Sequence, residues 1–170
     1  NNRRVNHTTT VLLDGRVLVV GGNSGFDVDL KTCELYDPAT NTWAFTDSLQ
    51  TERRKHAAMG FADGTVLVAG GYKSYVGALD TCEIFDPIDE TWRATGNLGA
   101  KRKDHTVSLL SDGRVLAAGG SNETYGSLDS SELYRPAAWT PAPALLTARR
   151  SHSATQLSDD RVLVAGGYDS

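Results

Sequence analysis

The sequence is poor in the residues that usually announce a chemistry. Its 170 residues include two cysteines, five prolines and one methionine. Two cysteines, Cys33 and Cys82, do not make the disulfide framework of a small stapled scaffold. No apolar run approaches the roughly 20 residues that a membrane-spanning helix needs. The chain opens Asn1-Asn2-Arg3-Arg4, with neither a Met nor a signal-like segment, so a processed or excised chain is expected. Cationic excess is missing too: 17 Lys and Arg against 21 Asp and Glu give a net charge of −4, which argues against a nucleic-acid binder. Helical periodicity competes nowhere along the chain.

Glycine, in contrast, is abundant. Eight of the 17 glycines form four Gly-Gly pairs. Each pair closes one copy of a nine-residue stretch, exemplified by Asp63-Gly64-Thr65-Val66-Leu67-Val68-Ala69-Gly70-Gly71. The copies start at Asp14, Asp63, Asp112 and Asp159, at intervals of 49, 49 and 47 residues. A period of that size marks a repeat architecture.

Every repeat reads in the same order. An Arg-x-x-His step (Arg4 to His7, Arg53 to His56, Arg102 to His105, Arg149 to His152) precedes a strand such as Thr8–Leu13 or Thr106–Leu110. Asp-Gly then predicts a two-residue type I′ hairpin turn, which needs positive φ at both positions. The fourth copy has Asp159-Asp160 there, so its turn is expected to be strained or of another type. A second strand without polar alternation (Val17–Val20, Val66–Ala69, Val115–Ala118, Val162–Ala165) reads as buried on both faces and ends at Gly-Gly. A variable loop leads to a third strand, Cys33 to Pro38, Cys82 to Pro87 or Ser131 to Pro136. Trp43, Trp92 and Trp139 open a fourth. The expected total is 14 strands, with the two-residue shortening placed in the turn before Trp139.

Arg-x-x-His, Asp-Gly-x-Val-Leu-Val-x-Gly-Gly, Glu-Leu-Tyr-Asp-Pro and Trp, in that order, resemble kelch repeats over nearly the whole chain. The wording is similar to the bacterial, galactose-oxidase-like branch. The resemblance implies an all-β kelch β-propeller of about three and a half four-stranded blades, the first strand of each nearest the axis. The expected blade units are about 3–47, 53–96 and 102–142, with a half blade at about 149–168. It also implies a lean towards an extracytoplasmic bacterial setting. A partial ring leaves blade faces uncovered, so remaining blades of a larger propeller, or a second copy, are expected to close it.

Repetition also bears on chemistry. His7, His56, His105 and His152 recur once per blade, which reads as structural; one blade apart, they are too distant for the ~2 Å bonds of one metal ion. Glu34, Glu83 and Glu132 lie on the strand face opposite Leu35, Ile84 and Leu133, and the repeat arginines are expected to pair with them. Trp43, Trp92 and Trp139 count among the same structural residues. Cys33 and Cys82 read as small buried residues, too far apart for a disulfide. Galactose oxidase implies two Tyr, two His and a Tyr–Cys cross-link around copper, and no off-repeat Tyr–His pair matches it. Gly21-Gly22-Asn23-Ser24-Gly25 is not followed by a helix start, so a phosphate loop is not assigned. No catalytic residue, metal or cofactor is assigned.

The residues that depart from the repeat are the candidates for function. The loops after Gly-Gly (23–32, 72–81, 121–130) and between blades (near 47–53, 96–102, 142–149) are expected on one face. They carry the aromatics Phe26, Tyr72, Tyr75, Tyr125 and Tyr168 and the polar group Asp27, Lys73, Asn122 and Glu123. Ten of the 17 Lys and Arg fall at the junctions. With one arginine per blade paired to glutamate, six remain for a basic rim that includes Arg54, Lys101, Lys103 and Arg150. The reading is a binding module for a protein, an acidic peptide or an acidic glycan on the loop face. The alternatives are part of a carbohydrate-active enzyme (galactose-oxidase-like or a sugar isomerase) and a structural segment of a larger surface protein or complex.

Overall fold

The computed structural model of the chain describes residues 3–25 and 27–169. Among them there is no helix, and so none long and apolar enough to cross a membrane. The first blade comprises β1 (Thr8–Val11), β2 (Val17–Val20), β3 (Cys33–Asp37) and β4 (Thr42–Thr46). The second comprises β5 (Ala57–Gly60), β6 (Val66–Ala69), the short pair β7 (Tyr72–Lys73) and β8 (Gly77–Ala78), then β9 (Cys82–Asp86) and β10 (Thr91–Thr95). The third repeats this as β11 (Thr106–Leu109), β12 (Val115–Ala118), β13 (Ser121–Asn122), β14 (Gly126–Ser127), β15 (Ser131–Arg135) and β16 (Ala138–Ala142). A half blade follows, β17 (Ser153–Gln156) and β18 (Val162–Ala165).

The three four-stranded sheets are meanders, and β1, β5, β11 and β17 neighbour one another from blade to blade, nearest the axis. Two features differ from the sequence expectation. The described strands number 18 rather than 14, because the loops after Gly70-Gly71 and Gly119-Gly120 fold into the hairpins β7–β8 and β13–β14. The Asp-Gly turns are not type I′. Leu12 donates its N–H to the Arg16 carbonyl and accepts from Gly15 N–H, leaving a three-residue loop in which Gly15 alone is left-handed (φ 87°). That is the turn-plus-bulge hairpin, and it ends β1 at Val11 instead of Leu13. The fourth copy keeps the same bonds with Asp160 at φ 68°, a left-handed position that an L-residue occupies under strain.

Packing between blades explains the unbroken apolar runs. In β6, Val66 and Val68 join Leu18, Val20 and Leu35 against the first blade. Leu67 and Ala69 of the same strand join Val115, Ala117 and Tyr134 against the third. Both faces are dry, so no polar alternation survives. The Val-Leu-Val-Ala of β6 is wholly buried, whereas the identical Val-Leu-Val-Ala of β18 is half exposed. At the other end Trp43 and Phe45 are exposed, while Trp92, the blade-two counterpart of Trp43, is buried. These are the uncovered faces of a partial ring.

One polar device recurs in every full blade. Arg53 and Arg102 are fully buried. Arg53 Nη1 donates to the carbonyls of Gly70 (2.7 Å) and Thr81 (2.8 Å), and Nη2 donates to Glu83 at 2.8 Å. Glu83 in turn accepts the amides of Gln50 (2.8 Å) and Thr51 (3.3 Å) on the junction leading into its own blade. Arg102 and Glu132 repeat the arrangement with Gly119, Ser130 and the amides of Gly99 and Ala100. Arg4 pairs with Glu34 in the first blade. Removing the charge of Glu83 leaves a buried guanidinium without its anion. Glu83→Gln is therefore expected to lower unfolding stability by about 3 kcal/mol, read as a fall in urea midpoint; an unchanged midpoint would show that the carboxylate charge is not needed.

Candidate functional site

The junctions and the post-Gly-Gly loops share one face, as single bridges join Val5 to Asn23, Arg54 to Tyr72, Lys103 to Ser121 and Arg150 to Tyr168. The glycine pair makes this approach possible. A Cβ on Gly70 (φ 59°) would lie 2.6 Å from the Arg102 carbonyl, and one on Gly71 (φ 107°) 2.8 Å from the Arg54 carbonyl. Gly71 N–H then donates to Arg102 across the blade boundary at 2.9 Å.

The loops are bonded to one another rather than splayed. Ser74 N–H donates to Asp29 at 2.5 Å, tying β7–β8 to the first blade. Glu123 accepts from Ala78 N–H at 2.9 Å, tying β13–β14 to β7–β8. Ser127 reaches the Tyr168 carbonyl at 3.5 Å. Tyr72 lies beneath two cations, Arg54 at 4.8 Å and Lys103 at 4.4 Å from its ring centroid. Tyr75 and Tyr125 instead project from the hairpin tips, 92% and 76% exposed.

The expected basic rim is not what forms. Arg54 pairs with Asp29 (3.0 Å) and Asp27 (3.7 Å), Lys55 with Asp104 (3.1 Å), Lys73 with Glu52 (2.9 Å) and Lys103 with Glu123 (2.6 Å). Arg150 covers the Tyr168 ring at 4.7 Å. Oppositely charged residues lie within reach of Arg54, Lys55, Lys73 and Lys103, so Coulomb attraction consumes these cations locally. Lys101 remains exposed without an ion pair among the described residues. Asn122 is occupied in capping its own turn, accepting from Thr124 and Tyr125 amides and donating to the Lys101 carbonyl. Phe26 lies outside the described residues.

A set that the sequence reading passed over lies inside this belt. Asn6, Lys55, Asp104 and Ser151 directly precede the repeat histidines, all with left-handed backbones (φ 53–56°). Lys55 N–H donates to Asn6, Asp104 N–H to Lys55 and Ser151 N–H to Asp104, each across a blade boundary. The signal was present: this is a fixed place in the repeat with a different polar residue in every blade. Asn6 and Lys55, with Asn23, Asp27 and Arg54, border a shallow polar depression of about 430 Å³.

The kelch motif matches residues 3–50 and 53–99. The chain belongs to the kelch-repeat family. No curated protein sequence matches it significantly. Among solved structures, it superposes on the one titled "Structure of YjhT" with a TM-score of 0.83 at 14% identity, over 97% of this chain and 62% of that one. At that identity the likeness shows the fold, and this chain spans less than two thirds of that protein's length. A kelch propeller is a generic binding or scaffold module, and the finer function rests on the site.

The kelch histidines are held neutral by the ring packing. Burial, with Arg53 adjacent, pushes His56 down to about 3, and burial likewise holds His105 well below its ordinary value. His56 bonds Thr8 Oγ1 and His152 bonds Thr106 Oγ1 of the preceding blade, each at 2.8 Å. At the intervening position stands Ala57, and both ring nitrogens of the buried His105 have no partner. The thiols of Cys33 and Cys82 are buried and pushed up to about 12 and about 11, mainly by desolvation, so they are poor nucleophiles. Among the described residues no three His, Cys, Asp or Glu converge as a metal cage.

Two outcomes follow from the histidines. Unfolded His takes its proton near pH 6.5 while the buried ring does not. Stability is therefore full above that pH and falls by about 1.4 kcal/mol per pH unit per buried His as acid is added, down towards pH 3 for His56; thermal melts from pH 7 to 4 measure the slope. Ala57→Thr restores the missing hydroxyl to His105 and is expected to raise stability by about 1 kcal/mol, checked by urea denaturation.

Proposed function

We propose that the chain is a protein-binding module whose recognition surface is the loop face, centred on Tyr75 and Tyr125. The observation that carries the reading is exposed tyrosine rings on hairpins pre-ordered by bonds to their neighbours. Such rings offer large contact area with little entropy left to lose on binding. Asn122 and Glu123 then act as positioning residues, and Tyr72, Arg54 and Lys103 as a rigid base beneath the tips. Lys101 adds an exposed cation. Pairing of Arg54, Lys55 and Lys103 with loop carboxylates removes much of the surplus positive charge that an acidic peptide or glycan would seek, so the partner is a mixed, largely uncharged protein surface.

A photo-reactive residue placed at 75 or 125 is expected to cross-link that partner, while one at Ile88, 89% exposed on the opposite face, does not. With the captured partner purified, Tyr75→Ala and Tyr125→Ala are each expected to weaken binding about tenfold. Equal cross-linking from Ile88, or unchanged affinity in both variants, overturns the proposal. Binding to immobilised glycan that free sugar competes away would instead assign a glycan to the same tyrosines.

Coverage of the exposed faces at β4 and β18 belongs to the same reading, with further blades in a longer chain or a second copy as the cover. The support is the half-exposed β18 and the 62% span of the structural neighbour. Sedimentation of a stable 18.2 kDa monomer with no tendency to associate would count against the second copy.

A further inference from the structure

On the face opposite the loops, a cavity of about 540 Å³ opens between the second and third blades. Its walls are Phe61, Ile84, Tyr134 and Pro136, with Asp63 and Arg93 among its few charged lining residues. The volume falls in the range of ordinary small-molecule sites, and so does a mostly apolar wall with few polar groups.

The neighbouring boundary, between the first and second blades, shows what the repeat places there. Arg16 crosses it, donating Nη1 to Glu90 at 2.5 Å and Nη2 to the Pro87 carbonyl at 3.3 Å. Leu13 reaches over Gly64, 3.4 Å from where a Cβ would stand. At the second boundary, Thr65 stands at the place of Arg16 and Ala62 at that of Leu13. Ala137 stands at the place of Glu90, in a turn two residues shorter, and keeps its left-handed backbone (φ 71°, against 54° for Glu90). Around Gly113, the counterpart of Gly64, a Cβ would meet nothing within 4 Å. Three truncations thus meet at one boundary. Empty apolar space costs stability, and the first blade shows how the repeat closes the same gap.

One change runs the other way. Arg93 replaces Ala44, and its side chain is 65% exposed with a single loose partner, Asp86 at 3.9 Å. Asp63, the other charged group of the lining, already accepts Thr65 N–H (3.0 Å) and Thr65 O–H (2.7 Å). The Tyr134 hydroxyl is engaged with Thr95 (2.7 Å) and Ala137 N–H (3.2 Å). The guanidinium therefore holds the uncommitted donors of the site.

We infer that this cleft is a binding site for a small ligand with one or two aromatic rings and one carboxylate, the rings against Phe61 and Tyr134 and the carboxylate on Arg93. The test uses 2-naphthoate and its neutral analogue 2-naphthamide, titrated into the isotope-labelled chain. Both are expected to shift amides at 61–65, 93–95, 113, 134, 135 and 137. Ala62→Leu, which restores the first-blade residue, and the bulkier Ala62→Phe are each expected to weaken both probes at least tenfold without lowering the melting temperature. Arg93→Gln is expected to weaken naphthoate about tenfold and leave naphthamide unchanged. The inference is overturned by the absence of saturable shifts, by shifts confined to the exposed strands at 42–46 or 162–165, or by undiminished binding in both filled variants. Equal loss of the two probes in Arg93→Gln overturns the carboxylate assignment.

Discussion

A buried guanidinium holds each blade to the junction that leads into it. Burying an arginine is tolerable only when its charge is met and its N–H groups are satisfied, and here both requirements are met by the repeat itself. The carboxylate comes from the third strand, and the carbonyls come from the end of the second strand and the start of the third. The same carboxylate then grips two amides of the incoming chain. Arg53 with Glu83, and Arg102 with Glu132, thus fasten three separate stretches of backbone at one point. The Gly-Gly pairs follow from this, since the arginine carbonyl of the next blade must come within hydrogen-bond distance of the second glycine. Histidine packing follows in turn: His56, His105 and His152 each lie between the first glycine of the preceding blade, which the ring meets, and the second glycine of their own, which Cβ meets.

Because that fastening is the same in each blade, the loop face begins from a common height and orientation. Variation between blades is confined to the loops after the glycines and to the residue before each histidine. Cross-blade bonds from Asp29, Glu123 and Ser127 then convert separate loops into a continuous surface. Ion pairing within that surface leaves it close to neutral despite its many charged residues. Shape and aromatic area, more than net charge, distinguish it.

Much of this was legible in the sequence, and the reason is repetition. A residue that recurs at intervals of 49 or 47 must serve the blade, so the strands, the glycines and the Arg–Glu pairing could be read from spacing and strand alternation. Turn geometry was not legible at the same level: Asp-Gly permits both the two-residue turn and the three-residue turn that forms. The hairpins of Tyr72–Ala78 and Ser121–Ser127 are too short to show alternation. The fate of the cations was hidden because Arg54, Lys55 and Lys103 find their acids on other loops or blades, 25, 49 and 20 residues away. Comparing blades position by position exposes the truncations at Ala62, Thr65 and Ala137, but only the packed ring shows that all three meet.

The left-handed residues around the axis carry a consequence for how such a fold can diversify. At Asn6, Lys55, Asp104 and Ser151 the bond shared by every boundary uses only main-chain N–H and C=O, the Lys55–Asp104 ion pair being an addition at one of them. Their side chains are not needed for that bond. Each blade therefore contributes one interchangeable tooth to the axial opening, constrained by backbone handedness but not by the core. The chemistry at the mouth of the ring can be rewritten one blade at a time, with the fastening beneath it left untouched.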